Sequence, residues 1–293
     1  MVPDINPPID LTLYRQFFAE EIQACAGIRT AALAQAFACV PRERFLPPGP
    51  WVMRGEADFG GPPRQTPDAD PRRVYHNVVV AIDPARQLFN GQPATLAVWI
   101  DALALRRGAR VLHVGAGLGY YTAILAETVG RDGRVLAIEV DEALARQART
   151  NLQSYDCVEV RHGDAASALD ERFDAILVNA GVTHPRDEWL DALAPGGRLV
   201  LPLTVVMPPG ASIGKGIVAL ITNDRAGGAM SARLLTLVAI YTAQSIRDES
   251  IAALLGKALA RGMMPALTVL RRDAHDPSPS CWLHASTFCL GSS

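Results

Sequence analysis

Residues 110–119 read Arg-Val-Leu-His-Val-Gly-Ala-Gly-Leu-Gly, an apolar run ending in three alternating glycines. Glycine tolerates a tight bend between a strand and a helix and lets a ligand lie against bare backbone. The N-terminus of a following helix adds free N–H groups. The chemistry on offer is the holding of a nucleoside. A dinucleotide fingerprint sets its third glycine three positions after the second, against a pyrophosphate. Here Gly115, Gly117 and Gly119 alternate, and position 120 is Tyr. The spacing disfavours an NAD-dependent oxidoreductase. It favours a nucleoside without a pyrophosphate, with S-adenosylmethionine (SAM) the leading ligand.

Other polar residues fall at the ends of successive apolar runs. Arg134–Ile138 ends in Glu139, 24 residues after Gly115. A carboxylate at the tip of a second strand can accept both ribose hydroxyls. Val158–Arg161 closes in Gly163-Asp164, which places Asp164 to accept from an adenine amino group. Phe173–Val178 ends in Asn179-Ala180-Gly181, and Pro195-Gly196-Gly197-Arg198-Leu199-Val200 turns into a fifth strand. The cofactor-binding residues expected are His113, Gly115, Gly117, Gly119, Tyr120, Glu139, Asp164 and Asn179.

These residues need a scaffold of parallel strands and crossover helices. Helical patterns run over Leu13–Ala26, Thr30–Ala38, Pro93–Leu105, Tyr121–Val129 and Glu142–Leu152, and Asp248 caps another to Arg261. Tyr75–Ile82 reads as a strand, and a parallel sheet occupies roughly 110–203. Further strands are expected at Gly216–Thr222 and Arg233–Ala243, joined by a turn at 227–228, with a last pair at Leu267–Leu270 and Trp282–Leu290. The first dozen residues read as a loose arm, and the Pro/Gly-rich residues 47–73 as a long irregular loop. The organisation expected is 1–105, a helical and loop region covering the active site; 106–245, a Rossmann-like SAM-binding domain; and 246–293, a C-terminal extension.

At 293 residues and 49% hydrophobic content the chain can bury a substantial core, and a net charge near −2 without a basic run gives no sign of nucleic-acid binding. No apolar run approaches a membrane span. Cys25, Cys39, Cys157, Cys281 and Cys289 lack Cys-x-x-Cys spacing. They read as free, buried, reduced thiols of a cytoplasmic protein, with no metal site. His76, His162, His275 and His284 read as unremarkable.

The chain resembles the protein-L-isoaspartate O-methyltransferases over about residues 13–245. Ala26-Gly27-Ile28-Arg29 and Val40-Pro41-Arg42-Glu43-Arg44-Phe45-Leu46 carry the likeness first. Residues 111–123 around the glycines, Phe173–Ala180 and Leu193–Pro202 continue it. The resemblance implies an α/β, Rossmann-like class I methyltransferase. Its sheet would be mostly parallel and seven-stranded, with helices on both faces and a reversed hairpin at the edge. It implies SAM as cofactor and a peptide or small-molecule carboxylate as acceptor.

Three departures stand against that pattern. The family sets a hydroxyl residue just before a Gln-Pro-like pair; here the position falls on Gly91 of Asn90-Gly91-Gln92-Pro93, with Thr95 one helical turn on. His113 replaces an acid near the methionine amino group, where imidazole is a poor acceptor for an ammonium. The stretch from about 248 exceeds what the family needs. Asn90, Gln92, Thr95 and His184 are the catalytic candidates, His184 as a general base at the carboxyl edge of the sheet. The expectation is therefore a carboxylate-directed O-methyltransferase that is not an efficient isoaspartyl repair enzyme. The alternative is a SAM-binding protein without transferase activity, a sensor or assembly partner.

Overall fold

The computed structural model describes residues 10–55, 61–165, 169–206, 212–224, 230–243, 245–262 and 264–292. Two compact units divide the chain, Met1–Val98 and Trp99–Ser293. The expected turn at 227–228 lies outside the described residues. No helix among them is long and apolar enough to cross a membrane.

The first unit holds α1 (Thr12–Ala26), α2 (Ala31–Cys39) and a small antiparallel sheet. That sheet has the order β2-β1-β3-β4, from β1 (Val52–Arg54), β2 (Arg64–Gln65), β3 (Val79–Asp83) and β4 (Leu88–Phe89). Residues 47–73 are thus not all irregular, since β1 and β2 pair through Val52↔Gln65 and Met53↔Arg64. Gly27 ends α1 at φ 62°, a left-handed cap that suits glycine. Arg42 is fully buried beneath the ring of Phe18, its guanidinium 5.5 Å from the ring centroid. It donates to the carbonyls of Val74 (2.6 Å), His76 (2.8 Å) and Val78 (2.6 Å). Those carbonyls would otherwise seek a strand partner, so β3 begins at Val79 rather than at Tyr75 as the sequence suggests. α3 (Pro93–Ala102) opens on a proline, which needs no N–H partner there.

The second unit is built on a ten-stranded sheet. Its parallel arm comprises β5 (Arg110–Val114), β6 (Arg134–Glu139), β7 (Val158–His162), β8 (Phe173–Val178) and β9 (Leu193–Val206). α4 (Tyr120–Val129), α5 (Glu142–Asn151) and α6 (Asp187–Ala192) connect these strands. The antiparallel arm comprises β10 (Ile213–Thr222), β11 (Met230–Tyr241), β12 (Val269–Arg271), β13 (Cys281–His284) and β14 (Cys289–Gly291), with α7 (Glu249–Arg261) before β12. The order is β7-β6-β5-β8-β9-β10-β11-β12-β14-β13.

The fold class matches the expectation; the strand count does not. The β10–β11 hairpin follows β9 in chain order, but it is not an edge. Residues 269–291 add three strands, through Met230↔Leu270 and then Leu270↔Leu290. The stretch Trp282–Leu290, read as one strand, is a hairpin of two, with His284 opposite Cys289. Leu112, Val114, Leu136, Ile138, Ile176 and Val178 alternate onto one buried face, the period-2 pattern of strands. Asp141 caps α5 by accepting from Leu144 N–H (2.9 Å), and Asp248 caps α7 by accepting from Ser250 (2.8 Å) and Ile251 (3.0 Å). Cys281 and Cys289 are buried, but Cys25 and Cys39 are exposed and Cys157 half-buried, which corrects the reading of all five as core thiols.

Candidate cofactor site

From β5 the chain steps to β6 and β7 on one side and then returns to β8 on the other. Ligands in open α/β sheets bind outside the carboxyl ends of strands at this reversal. The glycine loop leaves β5 here, its three glycines at φ 82°, 56° and 94° for positions 115, 117 and 119. The three have different reasons to be glycine. Gly115 and Gly117 are partly exposed, whereas Ala116 and Leu118 between and after them are buried. A Cβ at Gly115 would lie 3.2 Å from the Asn179 carbonyl. A Cβ at Gly119 would lie 2.7 Å from Leu152 Cδ1, so Gly119 serves the close approach of the loop to the end of α5.

Glu139, 7% exposed, sits at the tip of β6. Gly117 N–H donates to its Oε2 (2.8 Å) and Asp141 N–H to its Oε1 (3.0 Å). Each carboxylate oxygen holds one N–H and keeps a further acceptor direction, which two adjacent ribose hydroxyls can use. Gly163 N–H donates to the Glu139 carbonyl (3.0 Å), tying the Asp164 turn to the same strand tip. Asn179 N–H donates to the Val114 carbonyl (2.8 Å), and Asn151 Nδ2 donates to the Leu118 carbonyl (2.9 Å), fastening the loop from both sides. Gly115, Gly117, Glu139, Asp164 and Asn179 therefore meet at one edge of the sheet. The donor set and the bare backbone fit a nucleoside with a free ribose diol.

His113 and Tyr120 are placed differently. His113 is fully buried on the α4 side of β5, its Nδ1 2.8 Å from Thr122 Oγ1. The partner is a hydroxyl, and the side chain, expected to bind the cofactor, has no exposed surface. Burial pushes its pKa down to about 3, so the ring is neutral. Tyr120 is 3% exposed and packs edge-on against Tyr121, ring centroids 5.0 Å apart.

His184 follows β8 in a segment tied down by Gly181 N–H to the Tyr241 carbonyl (2.7 Å) and Val182 N–H to the Pro202 carbonyl (2.9 Å). Its Nδ1 lies 2.8 Å from Thr183 Oγ1, which accepts from Asp248 N–H at the start of α7 (3.1 Å). Burial, and next the positive Arg186, lower the His184 pKa. In the first unit, Asn90 clasps β3: Val80 N–H donates to Asn90 Oδ1 (2.8 Å) and Asn90 N–H to the Val80 carbonyl (2.9 Å). The Thr95 hydroxyl donates to Gln92 Oε1 (3.2 Å) within the first turn of α3.

The family model described as protein-L-isoaspartate(D-aspartate) O-methyltransferase matches residues 65–207. A protein-L-isoaspartate O-methyltransferase of Methylorubrum populi is 40% identical over 187 residues, 63% of this chain and 75% of the relative. One from Methylorubrum extorquens is 42% identical over 211 residues, 70% of this chain and 79% of the relative. The chain belongs to this family. It is a SAM-dependent O-methyltransferase. Solved structures agree on the fold. A protein-L-isoaspartate O-methyltransferase superposes with a TM-score of 0.64 at 18% identity, covering 95% of this chain and 88% of that one. A Plasmodium falciparum chain, solved with S-adenosyl-L-homocysteine, gives 0.58 at 17%, covering 78% and 97%.

Proposed function

We propose that this enzyme methylates a carboxylate of a peptide or small molecule other than the isoaspartyl group of the family's repair reaction. We propose further that Gly115, Gly117, Glu139, Asp164 and Asn179 hold SAM. Bound SAM supplies an electrophilic methyl group on a sulfonium. In-line displacement at that carbon is governed by positioning. A carboxylate acceptor is already ionised near neutral pH, so no side chain has to take its proton. That suits a site whose one histidine candidate, His184, is engaged by Thr183.

Gly91 is the observation that carries the acceptor reading. It stands between β4 and the first turn of α3, at the position where the family pattern has a hydroxyl. Thr95 is a poor replacement, its hydroxyl being engaged by Gln92. Beside Gly91, Asn90 holds a buried amide nitrogen with no hydrogen-bond partner among the described residues. Loss of one hydrogen bond placed for the transition state slows turnover by about 10²–10³-fold.

Turnover of methyl-labelled SAM tests the reading, with isoaspartyl peptides and a metabolite pool as acceptors. The unmodified enzyme should label an acceptor in the pool and show only trace activity on the peptide. Gly91→Ser should raise that trace. Robust methyl-ester formation on the isoaspartyl peptide by the unmodified chain would sink the proposal.

A further inference from the structure

The second unit carries a cluster the methyl transfer does not use. His275, Cys281, His284 and Cys289 each offer a ligand atom, and the four atoms lie within 4.8 Å of one another. Three come from the β13–β14 hairpin and one from the loop that leads into it. We propose that these four residues form a tetrahedral Cys2His2 site for a zinc ion, stapling the outer edge of the ten-stranded sheet.

Local geometry brings the ligands together against the ordinary strand period. Cys281 and His284 are three apart on β13, and regular alternation would send them to opposite faces. The pairing of β13 with β14 shifts register between Cys281 and Leu283, which removes that separation. Cys289 then stands directly opposite His284. The turn Ser278–Cys281, closed by Cys281 N–H to the Ser278 carbonyl (2.9 Å), folds the preceding loop back over the hairpin. It sets His275 Nε2 3.7 Å from Cys281 Sγ. Tetrahedral zinc with bonds of about 2.0–2.3 Å separates its donor atoms by about 3.4–3.8 Å, so this pair is already spaced for it.

The surroundings are those of ligands rather than of core packing. His275 Nδ1 faces the Asp273 carbonyl (3.0 Å), which fixes the ring with Nε2 turned to the cluster. Metal-bound histidines are held in this way through their second nitrogen. The Ser278 N–H and hydroxyl both lie 3.4 Å from Cys281 Sγ, where they can support a thiolate. His284 Nδ1 is buried and has no hydrogen-bond partner among the described residues, an orphan that a metal ion would satisfy. The His275 and His284 rings meet edge to face at 4.9 Å. Two thiolates and two imidazoles select a borderline-soft, tetrahedral ion, and with four protein ligands the site is closed and structural.

The position explains the purpose. β13 ends the sheet, a four-residue strand whose one strand partner among the described residues is β14. The loop between β12 and the cluster is fastened at its other end by Arg272, paired with Asp187 (2.9 Å) and Asp191 (2.6 Å) of α6. An ion at the cluster would close the remaining end.

The test is metal content of the full chain purified without chelator, by inductively coupled plasma mass spectrometry. About one equivalent of zinc is expected in the unmodified chain and in Cys25→Ser/Cys39→Ser, and less than about a tenth in Cys281→Ser/Cys289→Ser. The cobalt-loaded chain should show the visible absorption of a tetrahedral thiolate site. A strong chelator should lower the Tm of the unmodified chain and leave that of the Cys281/Cys289 variant unchanged. Thiol titration of the unmodified chain keeps the test decisive if the variant fails to fold. A Cys281–Cys289 disulfide, or a chain that takes up no zinc when supplied with it, overturns the proposal. So does full zinc occupancy in the folded double variant.

Discussion

The two arms of the ten-stranded sheet do different work with different means. The parallel arm, β7-β6-β5-β8-β9, has each strand's carboxyl end on one side, and the residues proposed to hold SAM sit at those ends or in the turns that leave them. The antiparallel arm, from β10 to β13, has no common carboxyl edge, and three of the four residues of its proposed zinc cluster lie on the hairpin strands themselves. A parallel arm gathers a site by topology, at the point where strand order reverses. An antiparallel arm gathers one by register, and a one-residue shift decides which side chains share a face. The comparison predicts that the two sites can be broken separately.

Gly117→Val should have the largest effect. A branched side chain at φ 56° is strained and would stand on the partly exposed stretch of the loop. SAM binding by isothermal titration should fall by at least about 100-fold, roughly 3 kcal/mol, the scale of strain plus a lost contact. Metal content should not change. Wild-type SAM affinity in the folded variant would show the loop to be merely structural.

Glu139→Ala comes next. It removes an acceptor for ribose and also leaves the N–H groups of Gly117 and Asp141 without theirs. Affinity should drop by about 1.5–3 kcal/mol, the range for hydrogen bonds to a charged group. Undiminished affinity would take Glu139 out of the site. Gly119→Ala sharpens the contrast within the loop: its Cβ meets Leu152 rather than a ligand. Its main readout is therefore a lower Tm, by a few degrees for a loss of about 1 kcal/mol.

A further effect concerns pH. Burial holds the His113 pKa near 3 in the folded chain, against 6.5 ordinarily. Below about pH 6.5 the unfolded chain takes up a proton at this residue and the folded chain does not. Its share of stability is therefore present above pH 6.5 and lost as pH falls toward 3, with a slope of at most about 1.4 kcal/mol per pH unit. Urea denaturation at pH 7 and pH 5 should show a smaller difference for His113→Gln than for the unmodified chain. Equal pH dependence would mean that the folded His113 is protonated in that range.

Much of the backbone geometry at the carboxyl ends of β5 and β6 was legible in the sequence. A strand that ends in Gly-x-Gly-x-Gly constrains its own backbone, since few other residues adopt those φ values. An acid at the tip of the next strand is fixed by the same short-range pattern. The capped start of α7 at Asp248 was legible for a similar reason, its donors being two and three residues away. Long-range partners decided the rest. Tyr75–Val78 carries a strand-like sequence, yet the Arg42 guanidinium, more than 30 residues earlier, takes its carbonyls. Three alternating glycines look equivalent on paper. Only the packing of Leu152 against one of them separates a buried glycine from two that are partly exposed. His275, Cys281, His284 and Cys289 follow no familiar metal-ligand spacing, because a β-hairpin assembles ligands across strands and through a register shift rather than along one turn of chain. Sequence alone fixed what depends on a residue's own dihedrals and nearest neighbours. The tertiary fold decided which distant groups share a face, because strand pairing and burial set those positions.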